Sequence, residues 1–233
     1  MILAGGLGTR LHPLTLEIPK PMVRIAGRPF LEYQVLLLKK NGFKNFVLCV
    51  GYKSEVIRDY FGDGSKLGVS LIFSNDGQNQ RGPIGALRNA SELLDSEFMV
   101  TYGDSFQRLD YRGFEDQFHS SGKLGLMAVL ENRNKYGKSD IVVKDGLVKV
   151  YDKVHQSPEM LWINYGAFIL RKEALELVSP FEEASEEQFF RELINREELG
   201  AYFTYDRFFE IGTIYSLREF EDYVAKNPTI VQD

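Results

Sequence analysis

Near the start of this 233-residue chain, Ile2-Leu3-Ala4-Gly5-Gly6-Leu7-Gly8-Thr9-Arg10-Leu11 runs on through Pro13-Leu14-Thr15 to Pro19-Lys20-Pro21-Met22. A short apolar run that breaks into three glycines, a threonine and an arginine reads as a strand emptying into a loop. The backbone of such a loop can approach a ligand closely, because glycine leaves its N–H unhindered and reaches positive φ. Phosphate is the ligand it suits. Arg10 offers a planar, permanently charged fork for bidentate contacts, and Lys20, set between Pro19 and Pro21, offers a point charge aimed by rigid flanks. Two better-known glycine loops do not fit. The dinucleotide fingerprint wants a third glycine where Leu11 stands and a helix opening there, whereas His12-Pro13-Leu14-Thr15 predicts continued loop. A Walker-type loop wants Gly-Lys followed by Ser or Thr, which Gly8-Thr9-Arg10 does not supply. Taken alone, three glycines would serve equally well in an ordinary turn with a surface arginine.

A second chemical feature follows the apolar run Phe98-Met99-Val100-Thr101-Tyr102, which delivers Gly103-Asp104 at its carboxyl end. A carboxylate there is well placed to hold a hard cation, although Asp before a helix also makes a turn. His12 lies near the glycine loop, His119 and His155 read as surface residues, and none has a metal-ligand partner at suitable spacing. Cys49 is the only cysteine and sits within Phe46–Val50, where it reads as a buried small hydrophobe; a disulfide within the chain is excluded.

The elements that must position these residues follow from periodicity. Phe30 to Lys40 predicts a helix closed by Asn41-Gly42, Phe46 to Val50 a strand buried on both faces, Ser54 to Tyr60 a helix, and Val69 to Phe73 a strand. Gly82 opens a helix reaching Leu94, after a polar loop from Ser74 to Arg81. Beyond a helix at Tyr111 to Ser120 and a strand at Lys123 to Leu130, Ile141-Val142-Val143, Asp145-Gly146 and Leu147 to Tyr151 give a hairpin signal. Trp162 to Leu170 predicts a strand, Lys172 to Val178 and Glu187 to Glu197 helices, Ala201 to Tyr205 a last strand and Leu217 to Val224 a closing helix. Strands alternating with helices imply right-handed crossovers and an α/β sheet with ligands at the carboxyl ends of its strands. The length suits one domain, residues 1–233. A net charge of −5 gives no footprint for nucleic acid or a membrane surface, so anionic substrates must be held by local cations. No stretch approaches membrane-spanning length and no basic leader precedes the apolar start, so the expected location is cytoplasmic.

Leu3-Ala4-Gly5-Gly6-x-Gly8-Thr9-Arg10-Leu11-x-Pro13-Leu14-Thr15, with Pro19-Lys20-Pro21-Met22, resembles the signature of the sugar-1-phosphate nucleotidyltransferases. The resemblance implies a Rossmann-like, mostly parallel mixed sheet flanked by helices. It implies transfer of a nucleoside monophosphate from an NTP to a sugar 1-phosphate with Mg²⁺. Leu3, Ala4, Gly5, Gly6, Gly8 and Thr9 would cover the nucleotide, with Arg10 and Lys20 as the catalytic cations on its phosphates. Gly82 and Gly85 match the family's second nucleotide segment in part, with Pro83 and Ile84 as departures. Asp152-Lys153 stands where the family has Glu-Lys-Pro, so Lys153 would reach the acceptor phosphate, with Gly103, Asp152, Asn164 and Gly166 on the same side. Phe208-Phe209-Glu210-Ile211-Gly212-Thr213 resembles the family's Asp-Ile/Val-Gly-Thr motif, so Asp104 and Glu210 would hold the metal.

The family usually has a few residues before the first strand, which here begins at Met1. With no repeat region after the domain, the likeness is to the short branch, above all the D-glycero-D-manno-heptose 1-phosphate guanylyltransferases. Lys20-Pro21-Met22, Gly27-Arg28-Pro29-Phe30-Leu31, Val50-Gly51-Tyr52-Lys53 and Asp59-Tyr60-Phe61-Gly62 carry that likeness. Mannose 1-phosphate with GTP, N-acetylmuramate 1-phosphate with UTP, a cytidylyltransferase of phosphorylated alcohols and a non-catalytic regulatory relative are the alternatives. The last usually lacks the loop Arg, the Lys or the metal carboxylates, all present here. Partners are then the two substrates, without nucleic acid or membrane, and the family leaves a homo-oligomer open.

Overall fold

Continuous apolar runs become strands, and apolar stripes at helical spacing become helices, along most of the chain. The structure, a computed structural model, describes residues 1–75, 82–177 and 185–230. In chain order these hold β1 (Ile2–Ala4), the hairpin of β2 (Arg24–Ile25) and β3 (Arg28–Pro29), α1 (Phe30–Lys40), β4 (Asn45–Val50), α2 (Ser54–Phe61) and β5 (Ser70–Asn75). Next come α3 (Gly82–Asn89), β6 (Glu97–Tyr102), β7 (Ser105–Phe106), α4 (Tyr111–Ser121), β8 (Gly125–Glu131), β9 (Ile141–Lys144) and β10 (Leu147–Tyr151). The remainder is β11 (Trp162–Arg171), α5 (Glu186–Asn195), β12 (Leu199–Thr204), β13 (Phe209–Glu210) and α6 (Ile214–Lys226). The fold is α/β with a mixed sheet and flanking helices, as the alternation predicts.

Four stretches differ from the sequence expectation. The run after the glycine loop is not plain loop but three 3-10 turns, Thr9–Leu11, Leu14–Leu16 and Lys20–Met22. The helix opened by Gly82 stops at Asn89 and yields to a 3-10 turn at Ser91–Leu93, because Asn and Ser favour local side-chain contacts over helix continuation. Lys172–Leu177 is 3-10 rather than α. Its first N–H is given to the Ser96 carbonyl at 2.7 Å, so the segment starts as a continuation of β11, and Val178, where the expected helix ends, lies outside the described residues. The last helix begins at Ile214, earlier than the apolar stripe suggests, because Thr213 forms a capping box with Ser216. Of the polar loop expected from Ser74 to Arg81, only Ser74 and Asn75 lie within the described residues, and both belong to β5.

Contacts divide the chain into two compact units. The first comprises β1 to β5, Thr101–Gln107 and everything described from Phe208 onward. Its strands run in the order β5-β4-β1-β6, all parallel, with Ile2 opposite both Leu48 and Thr101. Beside them an aromatic cluster joins Phe30 and Tyr33 of α1, Phe106 of β7 and Phe220 of α6 around Leu11 and Ile211. Phe220 sits edge-on to Phe30 at 4.9 Å and lies 5.1 Å from Phe106. Burial of each such ring contributes about 1.5–3 kcal/mol. This cluster ties the base of the glycine loop to β7 and β13, which pair antiparallel with Glu210 opposite Ser105.

The second unit comprises α3 to Val100 and Arg108–Arg207. Its strand order is β6-β11-β8-β12-β10-β9, with β12 parallel to β8 and β11 antiparallel to it. The β9–β10 hairpin turns at Asp145 and Gly146, both at positive φ, as an Asp-Gly turn requires. On α5, Phe189 and Phe190 are wholly buried, and Phe190 meets Tyr151 at 5.5 Å and Phe168 at 5.2 Å.

Candidate active site

In the first unit the glycine loop is held from beneath. Gly8 sits at φ 65°, and the Thr15 hydroxyl donates to its carbonyl at 2.8 Å. A Cβ on Gly8 would stand 2.9 Å from the Lys20 Cβ, so the glycine lets the Lys20 backbone close up against the loop. The far half is pinned by Lys53, whose Nζ donates to the Leu16 carbonyl at 2.6 Å, and by the Tyr52 hydroxyl. Gly6 and Thr9 face solvent, Gly5, Gly8 and Leu3 are half-buried, and Ala4 is buried at the end of β1. Arg10 is exposed and makes no hydrogen bond or ion pair with any described residue.

Gly103 brings the end of β6 onto the loop. Its N–H donates to the Leu3 carbonyl at 2.8 Å, and a Cβ there would lie 3.0 Å from the Ala4 Cβ. Asp104, the next residue, meets the Lys20 ammonium with Oδ2 at 2.5 Å. Glu210 is the neighbour across the β7–β13 ladder, where the Ile211 N–H donates to the Asp104 carbonyl at 3.1 Å. The Glu210 carboxylate folds back over Gly212, where a Cβ would lie 3.0 Å from each oxygen. It is half-buried and has no partner among the described residues.

Asp104 and Glu210 thus present hard oxygen donors from adjoining backbone. That set fits Mg²⁺, which binds through one or two carboxylates and completes its shell with water and substrate phosphate. Among the described residues no cluster of three or more His, Cys, Asp or Glu could hold a metal ion, and Asp104 and Glu210 would hold one together with water and substrate phosphate.

The second unit carries the other expected residues. Gly82, at φ 69°, opens α3, with Gly85 half-buried in its first turn. Asp152 is spent on a turn: its Oδ1 accepts from the N–H groups of Val154 and His155, each at 2.8 Å. These bonds hold its carboxyl below the usual carboxylate range. Lys153 follows, its N–H bound to Glu187 at 3.0 Å and its Nζ 3.4 Å from Glu186 Oε2. Asn164 stands at the β11 bulge, its Oδ1 accepting from the Gly166 N–H at 2.8 Å. Its amide donates to the Tyr151 hydroxyl and to Glu186 Oε1, both at 3.3 Å.

Glu186, Tyr151 and Asp140 are the members of this cluster that sequence reasoning missed. The Tyr151 hydroxyl donates to Glu186 at 2.6 Å, and burial, then the Glu186 charge, pushes that phenol up. Asp140 accepts from the Asn164 N–H at 3.2 Å, and burial pushes its carboxyl up to about 6. Glu186 reads in sequence as an ordinary acid in the first turn of a helix, favoured there by the dipole, and nothing local marks it. The only available signal was its position four residues before Phe190, which puts both on one face of α5.

The chain is similar to known proteins over most of its length. The family model described as Nucleotidyl transferase matches residues 1–227. The D-glycero-alpha-D-manno-heptose 1-phosphate guanylyltransferase of Campylobacter jejuni is 32% identical over 212 residues, covering 91% of this chain and 93% of that protein. Mannose-1-phosphate guanyltransferase 2 of Candida glabrata is also 32% identical, over 87% of this chain but 58% of the relative. The crystal structure of HddC from Yersinia pseudotuberculosis complexed with GMP-PN superposes with a TM-score of 0.79 at 29% identity, covering 95% of this chain and 97% of that one. No described helix is long and apolar enough to cross a membrane. With the motif resemblance, the mixed α/β sheet and these likenesses all in agreement, the chain belongs to the nucleotidyl transferase family, whose members generally work with a divalent metal.

Proposed function

We propose that this chain transfers a nucleoside monophosphate from an NTP to a sugar 1-phosphate and releases pyrophosphate, with GTP and D-glycero-D-manno-heptose 1-phosphate as its substrates. The observation that carries the reading is the group at the glycine loop: an Arg10 side chain and a Glu210 carboxylate with no partner among the described residues, and the Lys20–Asp104 pair, all within one unit. Two cations and two carboxylates suit phosphoryl chemistry whose nucleophile is already an anion. No general base is then required, and catalysis rests on positioning and charge neutralisation.

Each residue has a stated task in this reading. Leu3, Ala4, Gly5, Gly6, Gly8 and Thr9 pass their backbone along the nucleotide, with Gly82 and Gly85 as its second segment. Arg10 and Lys20 offset charge on the triphosphate. Asp104 and Glu210 hold Mg²⁺, which when bound draws charge from the phosphates and orients them. Lys153 takes the acceptor phosphate, Asp152 shapes the turn that carries it, and Asn164 and Gly166 face the sugar. Gly103 sets the close approach that delivers Asp104. Residues 1–233 act as one nucleotidyltransferase domain, and the family match running through both units supports that reading. The proposed location is cytoplasmic.

The donor and acceptor rest on the Campylobacter relative's name and on the GMP-PN with which the Yersinia protein is complexed. A second reading, mannose 1-phosphate as acceptor, is favoured by the equal identity to the Candida protein. Pyrophosphate release with Mg²⁺, measured for each NTP against heptose, mannose, glucose and N-acetyl sugar 1-phosphates, separates the two. Turnover confined to GTP and the heptose phosphate is the expected result. Silence with every pair would overturn the reading.

A further inference from the structure

The second unit holds a carboxylate that the family motif does not assign. α5 starts at Glu186 behind a Ser185 capping box, and Phe190, one turn on, anchors it edge-on to Tyr151. Glu186 is thereby lowered onto the end of β10, where Lys153 leaves the strand. Its two oxygens are not equivalent. Oε1 is occupied by the Tyr151 hydroxyl at 2.6 Å and the Asn164 amide at 3.3 Å. Oε2 has a single partner among the described residues, the Lys153 ammonium at 3.4 Å. Meanwhile Asp152, the carboxylate that the sequence places on the sugar side, is turned onto the backbone N–H groups of Val154 and His155.

We propose that Glu186 is the specificity-determining carboxylate for the acceptor, accepting a sugar hydroxyl at Oε2 while Lys153 takes the acceptor phosphate. The inference rests on the acceptor reading given above. Its physical basis is the cost of a buried acceptor left unmet. Only 9% of the Glu186 side chain is exposed, whereas 48% of the Lys153 side chain is, so Lys153 is the partner able to leave. Once Lys153 turns to phosphate, Oε2 is a charged oxygen at a nearly buried side chain without a donor. An acceptor that brings a hydroxyl beside its phosphate supplies that donor; a phosphorylated alcohol whose remainder is a quaternary amine does not. The site therefore selects polyhydroxylated acceptors by leaving any other acceptor with an unsatisfied carboxylate.

The test compares wild type with E186Q on the active sugar 1-phosphate and on analogues each lacking one hydroxyl. The amide that E186Q installs still meets Tyr151 and Asn164 through its oxygen, so the fold and thermal midpoint should hold. Expected for wild type is one deoxy analogue with kcat/KM down by 30-fold or more. Expected for E186Q is a tenfold or larger rise in acceptor KM, little change in the NTP KM, and loss of discrimination against that same analogue. An E186Q enzyme that keeps the wild-type acceptor KM and deoxy profile would overturn the assignment of Glu186 alone. A wild-type enzyme silent with every NTP and sugar phosphate would overturn the functional reading, and the assignment would fall with it.

Discussion

Among its candidate site residues each unit pairs a lysine with a carboxylate, and these two pairs are built in opposite senses. At the glycine loop the lysine is the fixed member: 10% of the Lys20 side chain is exposed against 31% of Asp104, and they meet at 2.5 Å. At the end of β10 the carboxylate is fixed: 9% of Glu186 is exposed against 48% of Lys153, at 3.4 Å. A buried lysine between two prolines, with Gly8 packed on its Cβ, cannot travel, so Lys20 is a permanent positive charge beneath whatever Asp104 faces. An exposed lysine at the end of a hairpin can swing. The first arrangement suits stabilisation of charge that develops during reaction, where preorganisation matters; the second suits capture of a substrate phosphate on arrival. Removing members of the two pairs should therefore have different kinetic signatures.

The largest effect is expected from Lys20→Ala. Loss of a preorganised cation should lower kcat by about 10³-fold, roughly 4 kcal/mol of transition-state stabilisation. It should leave the far-UV circular dichroism unchanged. Because the charge is fixed before substrate arrives, the loss should appear in kcat more than in either KM. A KM-only defect would make Lys20 a docking residue like Lys153 and erase the contrast. Asp104→Asn comes next, with a loss of about 10²-fold. The magnesium concentration for half-maximal rate should also rise about tenfold, because an amide is a poorer ligand for a hard cation. An unchanged magnesium titration would leave Asp104 as the partner of Lys20 and nothing more.

Lys153→Ala should raise the acceptor KM by about tenfold, about 1.4 kcal/mol, with kcat and the NTP KM held within a factor of about two. An exposed side chain carries little packing, so the melting temperature should not move. If the NTP KM moved instead, Lys153 would belong with the nucleotide and Glu186 could not read the acceptor through it.

These contrasts mark what could be read in the sequence and what could not. The glycine loop, the β6 end with Gly103-Asp104 and the Asp-Gly hairpin were legible because their signals are local: glycine runs, unbroken apolar strands and turn chemistry. Thr213 entered the sequence reading only as the last residue of a motif, and its role as the cap of α6 needed the fold. The 3-10 turn at Leu14–Leu16 was not legible, since it is held by bonds from Tyr52 and Lys53 far along the chain. Nor was the sense of either lysine pair. Lys20 and Asp104 are 84 residues apart and Lys153 and Glu186 are 33 apart, and which member is buried is decided by packing around each, Gly8 against the Lys20 Cβ and Phe190 against the ring of the Tyr151 that supports Glu186. Tyr151 illustrates this: a strand residue with a hydroxyl becomes the support of Glu186 only because Phe190 packs on its ring.

The smallest predicted effect probes why the second pair is arranged as it is. Asp140 and Glu186 are both buried near the single ammonium of Lys153, so the cluster carries more negative than positive charge. Burial, offset in part by the Asn164 N–H and the Lys153 charge and reinforced by Glu186, raises the Asp140 carboxyl from 3.8 to about 6. A raised acid binds its proton more tightly in the folded state, so folding is favoured below pH 3.8 and this contribution is lost as pH rises from there through about 6. At neutral pH the ionised Asp140 then destabilises the fold by roughly 3 kcal/mol. Asp140→Asn keeps an oxygen for the Asn164 N–H and removes the charge, so it should raise the denaturation midpoint at pH 8 and flatten the stability slope between pH 4 and 6. It should also weaken the hold on the Lys153 ammonium, since one of its two buried counter-charges is gone, and lower the acceptor KM slightly, by less than about twofold. A variant no more stable than wild type at pH 8 would mean that Lys153 already balances Asp140, which would place the lysine between both carboxylates rather than chiefly on Glu186.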